Sequence, residues 1–339
     1  MKETYNFVQW RNRLYGTFTH GVHGVLSFRT LLGDRPAVDD VREEFERDPW
    51  ADQIVRLVAG PDFLIAAFAP NDFTDNPPED RYPSELVKIP VDPQGHLGKP
   101  FVLGLGSEGH GAWPRAVENG VLFASSARDL VAIDAGNLED VMWRIQLSER
   151  IMAVLPISGS EGFISTMDET LGRPKLWKFT NRQLSRIELE KPWSVWRLDR
   201  DSRGRIWAIV RDTQEARYIS SGLLSHEDEN WVFRGAPEHA LGREYDFAEQ
   251  LIDLSVGPDD SVWVSTLRSG IGRFRNNQWE TWTEKDGIGC KGQLNVLADN
   301  QGTAWFWNGQ CLSWALPDGR VGYAWRRDPM NGWIVSYYR

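Results

Sequence analysis

Cysteine is nearly missing from this chain: Cys290 and Cys311 are the only two in 339 residues, which excludes a disulfide framework and a four-thiolate zinc site. Thiols so few fit a reducing compartment. Positive charge is also in short supply. With a net charge of -10, the field of the molecule repels polyphosphate and anionic lipid, so nucleic acid is not an expected partner. No run approaches the roughly 18 consecutive apolar residues that span a bilayer, and the opening MKETYNFVQW has no apolar stretch after its single Lys. The sequence therefore reads as a soluble cytoplasmic protein that does not enter a membrane. Catalytic signatures are missing as well: there is no G-x-S-x-G elbow, no H-E-x-x-H and no phosphate-cradling glycine loop.

Tryptophan, by contrast, is abundant at 17 residues, and its placement is periodic. VWRLDRDSRGRIW at 195–207, LIDLSVGPDDSVW at 251–263 and LNVLADNQGTAW at 294–305 share one pattern. Each is an alternating apolar strand, a turn of Asp, Asn or Gly, and a second strand that opens on Trp. The turn residues tolerate positive φ, as tight hairpins between twisted strands require. A looser form of the pattern places Tyr15, Leu64, Phe123 and Phe163 at the Trp position in the N-terminal half. From Tyr15 to Trp305 the seven anchors are spaced by about 48 residues on average, near the roughly 40–50 per blade of propeller repeats.

The expected fold is an all-β, seven-bladed β-propeller of four-stranded antiparallel blades, with residues 1–339 forming one domain. Residues 251–256, 262–266, 271–275 and 279–283 read as the four strands of blade six. Three longer connections depart from the minimal blade: 70–85, 104–113 and 235–250. Residues 36–50 are expected to include a short helix, because Val38, Val41 and Phe45 share a helical face. GWIVSYY near the C-terminus is one strand more than the last blade needs and is expected to pair with the first blade and close the ring.

The run VWVSTLRSGIGRFRNNQWETWTEKDGI, followed by LNVLADNQGTAWFW, resembles the two-component regulator propeller repeat, over about 251–314. That family combines a Trp-led strand, a Gly-Ile step and a K-D-G-I segment leading into the next blade. The resemblance implies a propeller fold, and a role in sensing a small ligand, since such repeats are usual in sensor ectodomains.

In a propeller, the connections between second and third strands and those between blades emerge on one face, and sites usually occupy it. His20, His23, Glu108, His110, Arg128, Asp129, Asp168, Glu169, Arg211, Glu215 and Arg268 are expected there. HGVH at 20–23 with EGH at 108–110 offers imidazoles and a carboxylate, but nothing in the spacing demands a metal, and no cofactor is expected. Cys290 and Cys311 read as two free thiols rather than a redox pair. Trp50, Trp113 and Trp193 adjoin proline in connecting segments, where an aromatic serves either as an exposed anchor or as packing. The functional expectation is a non-catalytic interaction scaffold that grips a protein or peptide partner. Trp113, Tyr245, Glu108, His110, Arg211 and Arg268 are its candidate contact residues. A hydrolase or lyase acting on a small polar substrate and a small-ligand sensor using the central channel remain the alternatives, since propellers host all three.

Overall fold

The computed structural model describes residues 7–11, 13–19, 23–32, 35–44, 52–70, 85–99, 101–102, 113–168, 170, 172–212, 221–227, 230–237, 251–267, 270–289, 292, 295–307, 311–328 and 332–336. Strands dominate them, and each pairs antiparallel with its neighbours in chain order. The first sheet consists of β1 (Phe7–Trp10), β2 (Arg13–Thr19), β3 (His23–Leu32) and β4 (Arg35–Glu44). The second is β5 (Asp52–Ala59), β6 (Phe63–Pro70), β7 (Glu85–Pro90) and β8 (Phe101–Val102). Then come β9 (Trp113–Glu118), β10 (Val121–Ser125), β11 (Asp129–Asp134) and β12 (Val141–Gln146), followed by β13 (Arg150–Ser158), β14 (Glu161–Asp168), β15 (Arg173–Thr180) and β16 (Gln183–Ile187). The fifth sheet holds β17 (Trp193–Arg200), β18 (Ile206–Asp212), β19 (Ser221–Glu227) and β20 (Asn230–Gly235), and the sixth β21 (Leu251–Val256), β22 (Val262–Thr266), β23 (Ile271–Arg275) and β24 (Gln278–Trp282). The last is five-stranded: β25 (Asn295–Ala298), β26 (Ala304–Trp307), β27 (Cys311–Ala315), β28 (Val321–Asp328) and β29 (Gly332–Ser336).

Six sheets thus have the expected four antiparallel strands, and the expectation of seven four-stranded blades is corrected at the last. The C-terminal strand does not pair with the first sheet. β29 pairs antiparallel with β28, with Ala324 opposite Val335 and Trp325 opposite Ile334, and so adds a fifth strand to the last sheet. The helix expected within 36–50 is also corrected, for residues 35–44 form β4 against β3. Adjacent Ser27 and Phe28 face Val41 and Val38, so a bulge takes up the three-residue spacing that mimics a helical face. Residues 45–50 lie outside the described residues.

All seven anchors fall on second strands. Tyr15, Leu64, Phe123, Phe163, Trp207, Trp263 and Trp305 lie on β2, β6, β10, β14, β18, β22 and β26, and every one is buried. Of these second strands, β6, β18 and β22 are apolar on both faces because each is covered on both sides. On β18, Ala208 and Val210 pack with Leu176, Trp193 and Leu224, while Trp207 and Ile209 pack with Leu251, Val262 and Val264 of the next sheet. On β6, Leu64 and Ala66 pack with Trp10 and Tyr15, while Phe63, Ile65 and Ala67 pack with Leu122 and Val131. Hairpin geometry follows from local chemistry. Asn119 and Gly120 between β9 and β10 take φ of 51° and 78°, and Asn276 and Asn277 between β23 and β24 take 50° and 62°.

The Asp-rich turn between first and second strands has a further function. Asp201 and Asp299 sit six residues before Trp207 and Trp305, and in both turns one carboxylate oxygen accepts the indole N–H, at 3.2 and 2.9 Å. The other oxygen accepts two backbone N–H groups of the turn, from Arg203 and Arg205 or from Gln301 and Thr303. In the sixth sheet the corresponding position is Gly257, and the buried Trp263 indole nitrogen has no hydrogen-bond partner among the described residues.

The chain divides into two compact units, Met1–Ile164 with Lys178–Ser185, and Ser165–Trp177 with Arg186–Arg339. Among the described residues no helix is long and apolar enough to cross a membrane.

Candidate functional site

Of the six contact residues expected from the sequence, Trp113 and Arg211 are described; Glu108, His110, Tyr245 and Arg268 lie outside the described residues, as do His20, Glu169, Glu215, Trp50 and Cys290. Trp113 opens β9, half-buried against the cluster that contains Phe63, Ile65 and Leu122. Trp193 opens β17, is buried, and stacks on Phe233 with ring centroids 5.4 Å apart, so it belongs to the packing. Asp129 is tied into its own turn by Ser126, and Asp168 accepts the Thr170 N–H at 3.0 Å. Arg128 is exposed, and His23 opens β3. Cys311 opens β27 and is buried, its Sγ 3.6 Å from Ser313 Oγ. No cluster of three or more His, Cys, Asp or Glu among the described residues is arranged to hold a metal ion.

The second unit holds two polar features of interest. The first is a cleft of about 480 Å³ between the start of β15 and the segment that leads from β16 into β17. Both walls lie at the end of the sheet from which the second-to-third-strand and sheet-to-sheet connections leave. Leu176, Ile187, Leu189 and Trp193 supply apolar lining. Arg173, Lys175, Arg186 and Lys191 outnumber Glu188 and Glu190 around it, a local positive excess on an acidic chain. Arg186 is engaged by Glu188 at 2.9 Å.

The second feature is a row of side chains on first strands, each bonded to the next sheet. The Val256 N–H donates to Asp199 at 2.8 Å, the Val296 N–H to Asp253 at 3.2 Å, and the Ala298 N–H to Ser255 at 3.0 Å. Asp253 also receives Arg197 Nε at 2.9 Å. Beside this pair, the Arg211 guanidinium lies 3.9 Å from the Trp196 ring centroid and donates to the Leu251 carbonyl at 3.3 Å. Burial, with a smaller contribution from the neighbouring Asp253 carboxylate, pushes the Asp199 carboxyl up to about 6 against the opposing pull of the Val256 and Arg200 N–H groups. Burial likewise raises Asp253, and Arg197 opposes it. Desolvation and the charge of Arg197 push Arg211 down to about 10. Sequence reasoning picked out Arg211 but missed Ser194, Trp196, Asp199 and Asp253. Their one legible signal is an aspartate inside a strand, in VWRLDR and LIDLSV, where that residue type is disfavoured.

Asp199 makes a pH prediction. Its folded-state pKa, about 6, lies above the ordinary 3.8, so the folded state holds the proton more tightly. The group then favours folding most below about pH 4, and that contribution is lost as pH rises through 6. Two units correspond to about 2–3 kcal/mol. Asp199→Asn is expected to remove this slope, gaining about that much relative to wild type between pH 4 and pH 7 in urea unfolding. Parallel wild-type and variant curves over this window would refute it.

No protein-family profile matches the sequence, and no curated protein proves similar to it. Several solved structures are similar in fold. The extracellular domain assigned to the hybrid two component system BT3049 from B. thetaiotaomicron superposes with a TM-score of 0.63 at 13% identity, over 94% of this chain and 39% of that one. The GH74 enzyme from Niastella koreensis gives 0.59 at 13% identity, over 96% of this chain and 53% of that one. A catalytically inactive virginiamycin B lyase from Staphylococcus aureus, with quinupristin, gives 0.52 at 10% identity, over 94% and 87% of the two chains. This chain therefore spans about two fifths of the first structure and about half of the second. Identities this low establish the architecture alone. The chain is an all-β propeller built of four-stranded antiparallel blades, with a five-stranded sheet at its C-terminal end.

Proposed function

We propose that this propeller is a non-catalytic binding module that takes a protein or peptide partner on the face bearing the second-to-third-strand and sheet-to-sheet connections. The cleft beside β15 and β16 carries this reading. Its apolar lining, flanked by Arg173, Lys175 and Lys191, suits an extended acidic peptide that offers an apolar side chain. In support, Asp199 and Asp253 have their carboxylates occupied by backbone N–H groups of the next strand, which makes them part of the scaffold. The test is affinity capture from native extract, with captured proteins identified by mass and each rebound in purified form. Arg173→Glu with Lys191→Glu is expected to weaken the purified partner at least tenfold while leaving the melting temperature within about 2 °C. Undiminished binding of every partner by this double variant would overturn the reading.

The enzyme reading, a hydrolase or lyase, draws on one observation: two neighbouring carboxyls, one of them pushed up to about 6, form the kind of pair that can divide acid and base roles. It requires a turnover that disappears in Asp253→Asn while the fold persists.

A further inference from the structure

At the fourth residue past the anchor of each second strand stand Thr19, Phe68, Ala127, Met167, Arg211, Leu267 and Gly309. Only the fifth sheet puts a charge there. Arg211 is thus a departure from the repeat, and its surroundings do not complete it. Its Nε is buried with no hydrogen-bond partner among the described residues. Ser194 lies directly opposite on β17, fully buried, and its hydroxyl also lacks a partner among the described residues. Directly opposed residues of an antiparallel pair project from the same face with Cβ atoms about 5 Å apart. Two orphaned polar groups therefore share one location.

Each would be costly alone. A buried donor without an acceptor forfeits its hydration, and a conserving fold leaves few such groups. The remaining partners are already committed. Arg211 Nη2 is bonded to the Leu251 carbonyl, and one face of the guanidinium rests on Trp196. Arg197 is held by Asp253 and by the Trp196 carbonyl, so it contributes charge but is already hydrogen-bonded. What the location lacks is an acceptor with two oxygens. Ser194 is the second residue of β17 and Arg211 the sixth of β18, so both lie at the end of the sheet from which the 213–220 connection leaves.

We propose that Arg211 and Ser194, backed by Trp196, form a binding site for the carboxylate of a small monoanionic ligand. Arg211 Nε–H and the Ser194 hydroxyl donate to the two carboxylate oxygens, and the Trp196 ring covers the guanidinium from behind. Local charge favours a monoanion. Arg197, whose charge acts on Arg211, is itself paired with Asp253, and Asp199 is only partly ionised near pH 6. A phosphate dianion would meet more negative charge than the site can balance. The site gives a chemistry to the face proposed above for partner binding, but it is tested with a small probe, so either reading can fail without the other.

The experiment is titration of the full chain with 13C-labelled acetate at pH 6 and low ionic strength, followed by NMR. Wild type is expected to bind one acetate saturably in the millimolar range. Arg211→Gln is expected to weaken binding at least tenfold and Ser194→Ala several-fold. Arg203→Ala, an exposed arginine in the turn at the opposite end of the same sheet, should bind as wild type does. Inorganic phosphate is expected to bind at least tenfold more weakly than acetate. If Arg211→Gln does not fold, the Ser194→Ala result decides. Absence of saturable acetate binding would mean that only water bridges the two groups and would overturn the proposal, as would equal affinity in Ser194→Ala or phosphate binding as tight as acetate.

Discussion

Trp263→Ala is expected to lower the unfolding free energy by about 3–5 kcal/mol, the cost of deleting a large buried aromatic from a close-packed core. Trp263 is fully buried among Ile288, Val296, Ala304, Phe306 and Ala315. Its ring stacks on Trp282 at 5.5 Å and meets the edge of Phe306 at 6.0 Å, and the Arg273 guanidinium lies 4.9 Å from its centroid. Because the indole N–H has no hydrogen-bond partner among the described residues, the loss comes from packing and ring contacts with no hydrogen bond in it, which gives the prediction a second arm. Trp263→Phe should be mild, while Trp305→Phe should be worse, since it strips Asp299 of an indole donor inside the core. Urea unfolding of the three variants checks both arms. A Trp263→Ala shift well under 1 kcal/mol, or a reversed order of the two Phe variants, would refute the packing account.

Asp201→Ala is expected to be the most damaging change outside the apolar core, at about 3 kcal/mol. The buried carboxylate joins four donors: the backbone N–H groups of Arg203 and Arg205, Arg205 Nε at 2.7 Å and the Trp207 indole. Arg205 retains Glu227 at 2.9 Å, which limits the loss. Asp201→Asn separates shape from charge. Its carbonyl still serves the turn, but its amide turns hydrogens toward Arg205 and Trp207, so it should recover little of the stability. Recovery to within 1 kcal/mol of wild type in thermal or urea unfolding would show that the turn alone matters.

The repeat was legible because it is written in residues with strong local demands. A turn that needs positive φ uses Asn, Asp or Gly, and a second strand covered on both faces uses an apolar anchor. Even Leu64 and Tyr15, far from the Trp pattern, occupy the anchor position. The strands of the sixth sheet agree with expectation to within a residue. The errors arose where one pattern had two structural solutions. Val38 and Val41 at a spacing of three fit a helix, but a β-bulge satisfies the same spacing. GWIVS has the composition of a strand, which says nothing of which neighbour it pairs with, and its partner is β28, the strand nearest in sequence. The Arg211 site was half legible. Its charge stands out in sequence, but the orphaned hydroxyl of Ser194 and the Trp196 face arise from cross-strand register and a bulge between Val195 and Arg197, which periodicity does not reveal.

The bonds that join one sheet to the first strand of the next bear on how this half of the chain is made. Ser165 to Val195, Val256 to Asp199, Val296 to Asp253 and Ala298 to Ser255 link residues 30 to 57 apart. Closing loops of that size costs little more entropy than closing a short one, because the cost grows only with the logarithm of length. Folding can therefore advance sheet by sheet, with each new hairpin docking on one already in place, as in repeat arrays governed by nearest-neighbour coupling. A ribosome releasing this chain in order would present each sheet to its predecessor as soon as it emerges.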